Sequence, residues 1–311
     1  MRRAGGHRIG LGLAALGRPG YINLGHAEDL AGHTDVESME RAAHAVLDAA
    51  YARGVRYFDA ARSYGKAEAF LASWLSERGL GRDDVTVASK WGYTYTAEWR
   101  VDAEVHEVKD LSVETLRRQI AETRELLGPW LRLYQIHSAT LDSGVLEDRA
   151  VLDELARLRA EGLSIGFTAT GAEQAETIER ALELGGFDAV QATWNLIERS
   201  AGDALAAAHE AGLRVVVKEA VANGRLTARG DAEPLLDAAR ELSIAPDALA
   251  LAAVLQQPWA DVVLSGAATV DELESNLGAT QLEHEVDLER FDSLREDPAT
   301  YWDTRAALPW N

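Results

Sequence analysis

The sequence lacks cysteine altogether, and this absence excludes disulfide bonds and metal sites built on thiolates. No apolar run approaches 18 residues, so no segment is expected to span a membrane. No cluster of lysine or arginine offsets the formal net charge of −20, which argues against a nucleic-acid partner. The basic start, MRRAGGHRIGLGLAALGRPG, is interrupted by glycines and is more typical of a strand than of a secretion signal. These absences predict a soluble cytoplasmic protein.

Two further absences concern domain organisation and metals. No stretch rich in proline, glycine and serine divides the chain, and no G-x-G-x-x-G motif stands at a strand-to-helix turn. The 8 histidines are dispersed without an H-x-H, so no metal site is expected. With 47% hydrophobic and 26% charged residues, the chain has the balance of a globular protein with a substantial core.

Short apolar runs alternate with helical patterns along the whole chain, as in parallel strands joined by crossover helices. Eight such units without a linker predict one (β/α)8 TIM barrel over residues 1–311, and a doubly wound sheet is the alternative. The predicted strands are 8–16, 55–58, 85–89, 131–136, 163–168, 187–191, 213–218 and 260–265. The predicted helices are 37–53, 66–78, 112–127, 147–161, 172–184, 201–211, 246–257 and 270–280.

Three long irregular segments interrupt this alternation: 91–111, 219–230 and the tail 283–311. In a barrel the first two follow strands three and seven, so they are expected to overhang the catalytic face. The tail is expected to fold back over the same face.

Polar side chains end three consecutive predicted strands. Asp59 ends the second, Lys90 the third and His137 the fourth, while Tyr64 lies in the turn just after Asp59. The carboxyl-terminal rim of a barrel is where catalytic residues lie. Each residue alone has an ordinary structural explanation, such as a helix cap or a solvated lysine, but the four together indicate a site.

This set of residues is suited to moving a proton. A phenol has a pKa of about 10, and a neighbouring ammonium lowers it towards a useful range. We expect Asp59 to hold Lys90, Tyr64 to protonate a carbonyl that receives a hydride, and His137 to bind the substrate oxygen. Two alternatives stay open: a Schiff-base lyase that uses Lys90 or Lys218 as its nucleophile, and a dinucleotide-binding regulatory barrel without turnover.

At these residues the sequence resembles the aldo-keto reductases. The matching segments, in the family's order, are GLAALG, FDAARSYGKAEAFL, VTVASKWG, LYQIHSA, SIGFTATG, VQATWNL and SGAATVDELESNL. The resemblance implies a (β/α)8 oxidoreductase that uses NAD or NADP without a Rossmann motif. It assigns the general acid/base to Tyr64, the residues that tune it to Lys90 and Asp59, and substrate orientation to His137.

The same resemblance implies a set of cofactor-binding positions. Lys218 stands where many members place a tyrosine that stacks on the nicotinamide, and Ala169 replaces a frequent asparagine. Ala268 stands in place of a cation for the 2′-phosphate of NADP, and Glu272 in place of a glutamine, so NAD is favoured. The implied cofactor residues are Ala15, Thr168, Gln191, Lys218, Ser265, Gly266, Ala267, Glu272 and Asn276.

Aromatic residues in the loops predict the character of the substrate. Trp91, Tyr93, Trp194 and Trp302 occupy segments that line the substrate pocket in the family. Aromatic faces pack on sugar rings, aryl groups and steroids alike. They predict a small apolar or amphipathic carbonyl compound or its alcohol.

Overall fold

A computed structural model describes residues 8–282 and 284–311. The basic start of the chain, residues 1–7, and Glu283, the first residue of the predicted tail, lie outside the described residues. Within the described part of the chain, no helix is both long and apolar enough to cross a bilayer.

Eight parallel strands close into a barrel in the order β1, β10, β9, β8, β7, β6, β3, β2. Two short antiparallel strands, β4 and β5, form a separate hairpin after β3. This closed barrel confirms the predicted (β/α)8 fold. The strands are β1 Ile9–Gly12, β2 Tyr57–Asp59, β3 Thr86–Trp91, β4 Tyr93–Tyr95, β5 Glu107–Lys109, β6 Leu131–Ala139, β7 Ser164–Ala169, β8 Ala189–Thr193, β9 Arg214–Lys218 and β10 Val262–Ser265.

The helices surround the barrel, and several begin where a short polar side chain caps them. Ser112 accepts a hydrogen bond from the Thr115 N–H, and Thr269 accepts one from the Glu272 N–H. The helices are α1 His26–Leu30, α2 Val36–Ala52, α3 Ala67–Glu77, α4 Val113–Leu127, α5 Arg149–Ala160, α6 Gln174–Leu184, α7 Gly202–Glu210, α8 Glu233–Leu242, α9 Pro246–Leu255, α10 Val270–Leu277 and α11 Pro298–Ala306. Short 3-10 turns lie at Leu141–Ser143, Ala222–Gly224, Gly278–Gln281 and Glu289–Leu294.

The barrel interior changes from apolar to polar along five of its strands, β2, β3, β6, β8 and β9. Side chains two residues apart on a strand point to the same side, so an inward apolar residue is followed by a second inward residue nearer the carboxyl end. An apolar cluster of Tyr57, Ala88, Leu133, Ala189, Val216 and Leu264 fills the lower interior. Two residues further towards the carboxyl end of their strands, the inward-facing residues are Asp59, Lys90, Gln135, Gln191 and Lys218. The fold therefore places ionisable and amide groups together at the carboxyl-terminal end.

The main apolar core lies between the barrel and its helices. It includes Trp74, Phe58, Phe70 and Phe167, each at most 2% exposed. Burial of a side chain of this size contributes about 1.5–3 kcal/mol. A second cluster around Phe291 and the residues that pack on α8 and α11 anchors the tail to the barrel. The core thus holds the loops at the carboxyl-terminal end on a rigid support.

Candidate active site

A cavity of about 640 Å³ opens at the carboxyl-terminal end of the barrel. The loop after β1 contributes Arg18 and Tyr21, and the hairpin contributes Tyr93 and Glu107. The segment after β9 and the tail also line it, so all three predicted irregular segments border this cavity.

A buried ion pair forms the floor of the cavity. Lys90 donates a hydrogen bond to Asp59, and these side chains are 1% and 2% exposed. The amides of Gln135 and Gln191 donate to the other carboxylate oxygen, Oδ1, at 3.3 and 3.2 Å. Because a buried carboxylate needs partners for its lone pairs, these three residues fix Asp59 in place.

Tyr64 is held above this ion pair by a tight turn. The Lys90 ammonium lies 3.5 Å from the Tyr64 hydroxyl, and the Lys66 N–H donates to the Gly17 carbonyl at 2.7 Å. Gly65 has φ +58°, and a Cβ at this position would stand 2.4 Å from the Gly17 oxygen. Only glycine fits here, and the turn brings the phenol back over the barrel mouth, as the sequence indicated.

The pKa of Tyr64 differs from the expectation. Burial raises the pKa of the phenol above its usual value, Asp59 raises it further, and Arg18 lowers it. The expected lowering by Lys90 does not prevail, because the ammonium is already neutralised by Asp59. Tyr64 is therefore a neutral hydroxyl at physiological pH, a proton donor rather than a phenolate.

His137 faces Tyr64 across the cavity. Its ring centroid lies 5.5 Å from that of Tyr64 and 4.9 Å from that of Tyr93, both edge to face. Burial lowers the pKa of His137 well below its usual value, and the charges of Lys90, Arg18 and Lys218, among others, lower it further. The imidazole is therefore neutral, and among the described residues its Nδ1 has no hydrogen-bond partner.

Arg18 also lines the cavity, although no sequence pattern predicted it there. Its guanidinium is 3% exposed, lies 5.2 Å from the Tyr64 ring centroid, and donates to Glu107 and to the Ser63 carbonyl at 3.0 Å each. Trp310 covers it at 4.7 Å. The only sequence signal is a charged residue shortly after the first strand, which many surface loops share.

A second charged group stands at the end of β9. Lys218 donates to the Thr193 hydroxyl at 2.8 Å and lies 3.7 Å from Glu219. Arg305 from α11 binds both oxygens of Glu219, with contacts between 2.6 and 2.9 Å. Burial opposes ionisation of Glu219, yet Arg305 and Lys218 lower its pKa to about 2. Burial lowers the pKa of Lys218 to about 8.

The far end of the cavity lies at the turn between β10 and α10. Asn276 donates to the Ser265 hydroxyl at 2.8 Å, and Glu272 accepts from the Ala268 N–H at 2.8 Å. Arg229 from the segment after β9 contacts Glu272 at 3.2 Å and also pairs with Asp29. This cation was not foreseen, because 43 residues separate Arg229 from Glu272 in the sequence.

All nine implied cofactor residues line the cavity. The aromatic candidates behave differently. Tyr93 lines the cavity, whereas Trp91 and Trp194 are buried in the core between barrel and helices. Trp302 lies behind the cavity lining, where its ring packs 5.3 Å from the Lys218 ammonium. The tryptophans follow strand ends in sequence, but their side chains turn towards the apolar core.

Lysine is confined to this end of the molecule. The chain has four lysines. Lys90 and Lys218 end β3 and β9, Lys66 follows β2 just beyond Tyr64, and Lys109 ends β5 in the hairpin. Lys66 and Lys109 are exposed, whereas Lys90 is buried.

The cavity residues fit an extended dinucleotide. Hydroxyl and amide groups of Thr168 and Gln191 lie near the proposed proton donor, and Ser265 and Asn276 lie at the opposite end. At Gly266 a Cβ would meet no atom within 4 Å, so the backbone there is open to close approach by a ligand. Polar groups at both ends of one continuous cavity suit a molecule with two polar ends.

Comparison with known proteins agrees with this geometry. The profile of the Aldo/keto reductase family matches residues 8–296. The uncharacterized oxidoreductase YrpG of Bacillus subtilis is 24% identical over 294 residues, which cover 82% of this chain and 87% of YrpG. D-threo-aldose 1-dehydrogenase of a Pseudomonas species is 27% identical over 232 residues, 67% of each chain.

Among solved structures, the holo form of aldo-keto reductase AKR11C1 from Bacillus halodurans superposes with a TM-score of 0.70 at 21% identity. The match covers 93% of this chain and 92% of AKR11C1, and at this identity it establishes the shared fold. The family profile spans nearly the whole chain. The chain therefore belongs to the aldo/keto reductase family of oxidoreductases.

Proposed function

We propose that the protein interconverts a carbonyl compound (an aldehyde, ketone or sugar) and its alcohol, with Tyr64 as general acid/base. The observation that carries this proposal is the approach of the Tyr64 hydroxyl to within 3.5 Å of Lys90, above the ion pair with Asp59 and opposite a neutral His137. When bound, a nicotinamide dinucleotide supplies or accepts the hydride.

The chain's own residues handle the proton and the oxygen. In the reducing direction the neutral Tyr64 hydroxyl donates its proton to the carbonyl oxygen as negative charge develops there. A neutral imidazole carries one N–H, so His137 is suited to donate a hydrogen bond to the same oxygen. Lys90 lies close enough to stabilise the phenolate left behind, and Asp59 keeps the ammonium in place.

For the cofactor we propose a preference for NADH over NADPH. Among the described residues that line the far end, the one cation is Arg229, which is shared by Asp29 and Glu272, and Asp271 lines the same end. The carboxylates outnumber the cation, so a doubly negative 2′-phosphate meets net repulsion. Glu272 is also placed to accept a hydrogen bond from a ribose hydroxyl. Arg225, which lies in the same segment after β9 as Arg229, is paired with Glu296.

A Schiff-base lyase remains the second candidate, and one observation favours it. The pKa of Lys218, lowered to about 8, leaves a fraction of its amine neutral at physiological pH. Lys90 is less suited, since its ammonium is held by Asp59 and by the Ala60 carbonyl. Borohydride reduction in the presence of an aldehyde, followed by peptide mapping, distinguishes the two. A stable adduct on Lys218 in parallel with turnover supports the lyase.

The deciding experiment combines binding and turnover. We expect NADH to quench protein fluorescence, and aryl aldehydes and aldoses to be reduced, or their alcohols oxidised, at the expense of the cofactor. Dissociation constants for NADH and NADPH are measured at one ionic strength, because screening changes the electrostatic part of binding. Dinucleotide binding without turnover of any carbonyl or alcohol would instead favour a regulatory barrel.

A further inference from the structure

We propose that Lys218 binds a carboxylate on the substrate, so that the preferred substrate is a carbonyl compound that also carries an acidic group. This inference rests on the proposed function for its reaction and names the substrate class.

Three cations near Tyr64 each have a carboxylate of their own. Lys90 is paired with Asp59, Arg18 with Glu107, and Arg305 with Glu219. Among the described residues that line this end of the cavity, Lys218 is the surplus cation. Its nearest carboxylate, Glu219 at 3.7 Å, already receives three hydrogen bonds from Arg305. Counting these four cations against their three carboxylates leaves about one positive charge in excess, while Lys109, exposed on the hairpin, is not among the residues that line the cavity.

The ammonium of Lys218 also has unused hydrogen-bonding capacity. It has three N–H donors, and among the described residues one is used, in the bond to Thr193. The side chain is 17% exposed and lines the cavity, with Trp302 behind it. A largely buried ammonium with free donors gains more from an anion than the same group in bulk water, because less solvent screens it.

Lys218 acts at the reaction centre rather than at a distant wall. Its charge is one of those that lower the pKa of His137, and the charge of Lys90 lowers the pKa of Lys218. An anion bound to Lys218 therefore lies within electrostatic reach of the residues that surround the carbonyl. One surplus positive charge matches a carboxylate, which carries one negative charge, better than a phosphate ester, which carries nearly two.

The test compares substrates that differ only in charge. We expect 4-carboxybenzaldehyde to be reduced with a kcat/KM at least about ten-fold above that of its methyl ester, the size of effect one charge-assisted hydrogen bond gives. The 2- and 3-carboxy isomers place the carboxylate nearer to the aldehyde carbon. The isomer with the highest kcat/KM therefore reports the preferred distance between the two groups. Equal values for every acid and its ester would overturn the proposal, and a larger preference for an aldehyde phosphate ester would overturn the carboxylate assignment.

Variants assign the effect to this side chain. Lys218→Met is expected to lower kcat/KM for each acid by at least about ten-fold more than for its ester, so that the preference is lost, whereas Lys218→Arg is expected to keep it. Lys66→Met removes an exposed lysine from the same end of the barrel and serves as the matched control. Loss of turnover on acid and ester alike in Lys218→Met would contradict a binding role.

A binding measurement separates this proposal from the proposed function. We expect benzoate, but not benzamide, to bind the protein in calorimetry with and without NADH, and Lys218→Met to abolish that binding. If benzoate binds through Lys218 while no carbonyl is turned over, the proposed function fails and the anion site stands. If carbonyls are turned over and benzoate does not bind, the anion site fails alone.

Discussion

At the scale of single residues, the chemistry depends on one phenol held over a neutralised ion pair. Tyr64 is kept uncharged by burial and by Asp59, and Lys90 is close enough to stabilise the phenolate only once the proton has left. Asp59 and Lys90 together therefore favour a neutral Tyr64 hydroxyl in the resting protein and stabilise the Tyr64 phenolate during turnover.

Replacing Tyr64 by phenylalanine tests this directly. We expect Tyr64→Phe to lower kcat at least about 100-fold, because general acid catalysis contributes 10²- to 10⁴-fold, and to leave NADH affinity nearly unchanged. Tyr93→Phe, which alters another phenol lining the same cavity, is the control and should keep most activity. Near wild-type turnover in Tyr64→Phe would remove this residue from the mechanism.

The ion pair beneath it has a separate, structural effect. We expect Lys90→Met to lower the free energy of unfolding by about 3–5 kcal/mol, because Asp59 would be left buried without a counter-charge. Lys90→Met combined with Asp59→Asn should recover part of that loss in chemical denaturation. If the double variant loses as much unfolding free energy as the two single variants lose in sum, the interaction between Lys90 and Asp59 contributes little.

Single residues differ in how far the sequence could predict them. The rim positions of Asp59, Lys90 and His137 follow from strand ends, which period-2 patterns locate well. Arg18 and Arg229 lie in irregular loops, and their partners are far away in sequence, so no local pattern places them at the cavity. The three tryptophans were misplaced because sequence position does not give the direction of a loop side chain.

At the scale of elements, α11 shapes the cavity through one side chain. Arg305 reaches from this helix to Glu219, whose backbone has φ +56°, an unusual conformation for a residue other than glycine. The ion pair thus joins the tail to the end of β9. Movement of α11 would uncover Lys218 as well.

Breaking that contact should loosen the tail. We expect Arg305→Met to lower the free energy of unfolding by about 3 kcal/mol, because the nearly buried carboxylate of Glu219 would lose its main partner. Limited proteolysis should then cut first in the tail. Arg240→Met, which removes an exposed arginine paired with Asp237, is the control and should cost less than about 1 kcal/mol. Equal stability of the two variants would contradict the role given to Arg305.

The turn between β10 and α10 carries the prediction on cofactor choice. We expect Ala268→Arg combined with Glu272→Gln to shift preference towards NADPH by roughly ten-fold or more, since one charge-assisted hydrogen bond is gained and one repulsion is lost. The ratio of the two dissociation constants, measured before and after the change, checks this. A clear NADPH preference in the unchanged protein would contradict the reading of Glu272, without bearing on Tyr64.

The alternating strands and helices of the barrel were predictable from periodicity, to within a few residues at most ends. The element α8, Glu233–Leu242, was missed although it is amphipathic, because the preceding segment reads as a continuous loop. The hairpin β4–β5 was missed since its strands are three residues each and none of their residues is buried. Elements that depend on tertiary contacts rather than on a long repeating pattern give little signal in one sequence.

At the scale of the whole molecule, two histidines link stability to pH: His26, which is buried, and His137, which lines the cavity. Burial lowers the pKa of His137 well below its usual value and also lowers that of His26. The folded protein thus binds fewer protons than the unfolded chain below about pH 6.5, the ordinary pKa of histidine. Stability should therefore fall as pH decreases below that value, with up to about 1.4 kcal/mol per pH unit from each histidine.

Denaturation at several pH values checks this. We expect His137→Gln and His26→Gln each to flatten the dependence of unfolding free energy on pH between about 5 and 6.5. His33→Gln, at an exposed position, is the control and should leave the dependence unchanged. If neither His137→Gln nor His26→Gln changes the slope of unfolding free energy against pH, other titratable groups determine that slope.

The grouping of all four lysines around the barrel mouth determines how the protein tolerates chemical attachment. Reagents that react with amines meet Lys66 and Lys109 first, because these are the exposed members of the group. A solid support that is coupled to the protein through Lys66 and Lys109 would lie against the opening of the cavity and obstruct the entry of substrate. The absence of cysteine offers the remedy, since a single cysteine introduced on the opposite end of the barrel would be the unique thiol and would orient the mouth towards solution.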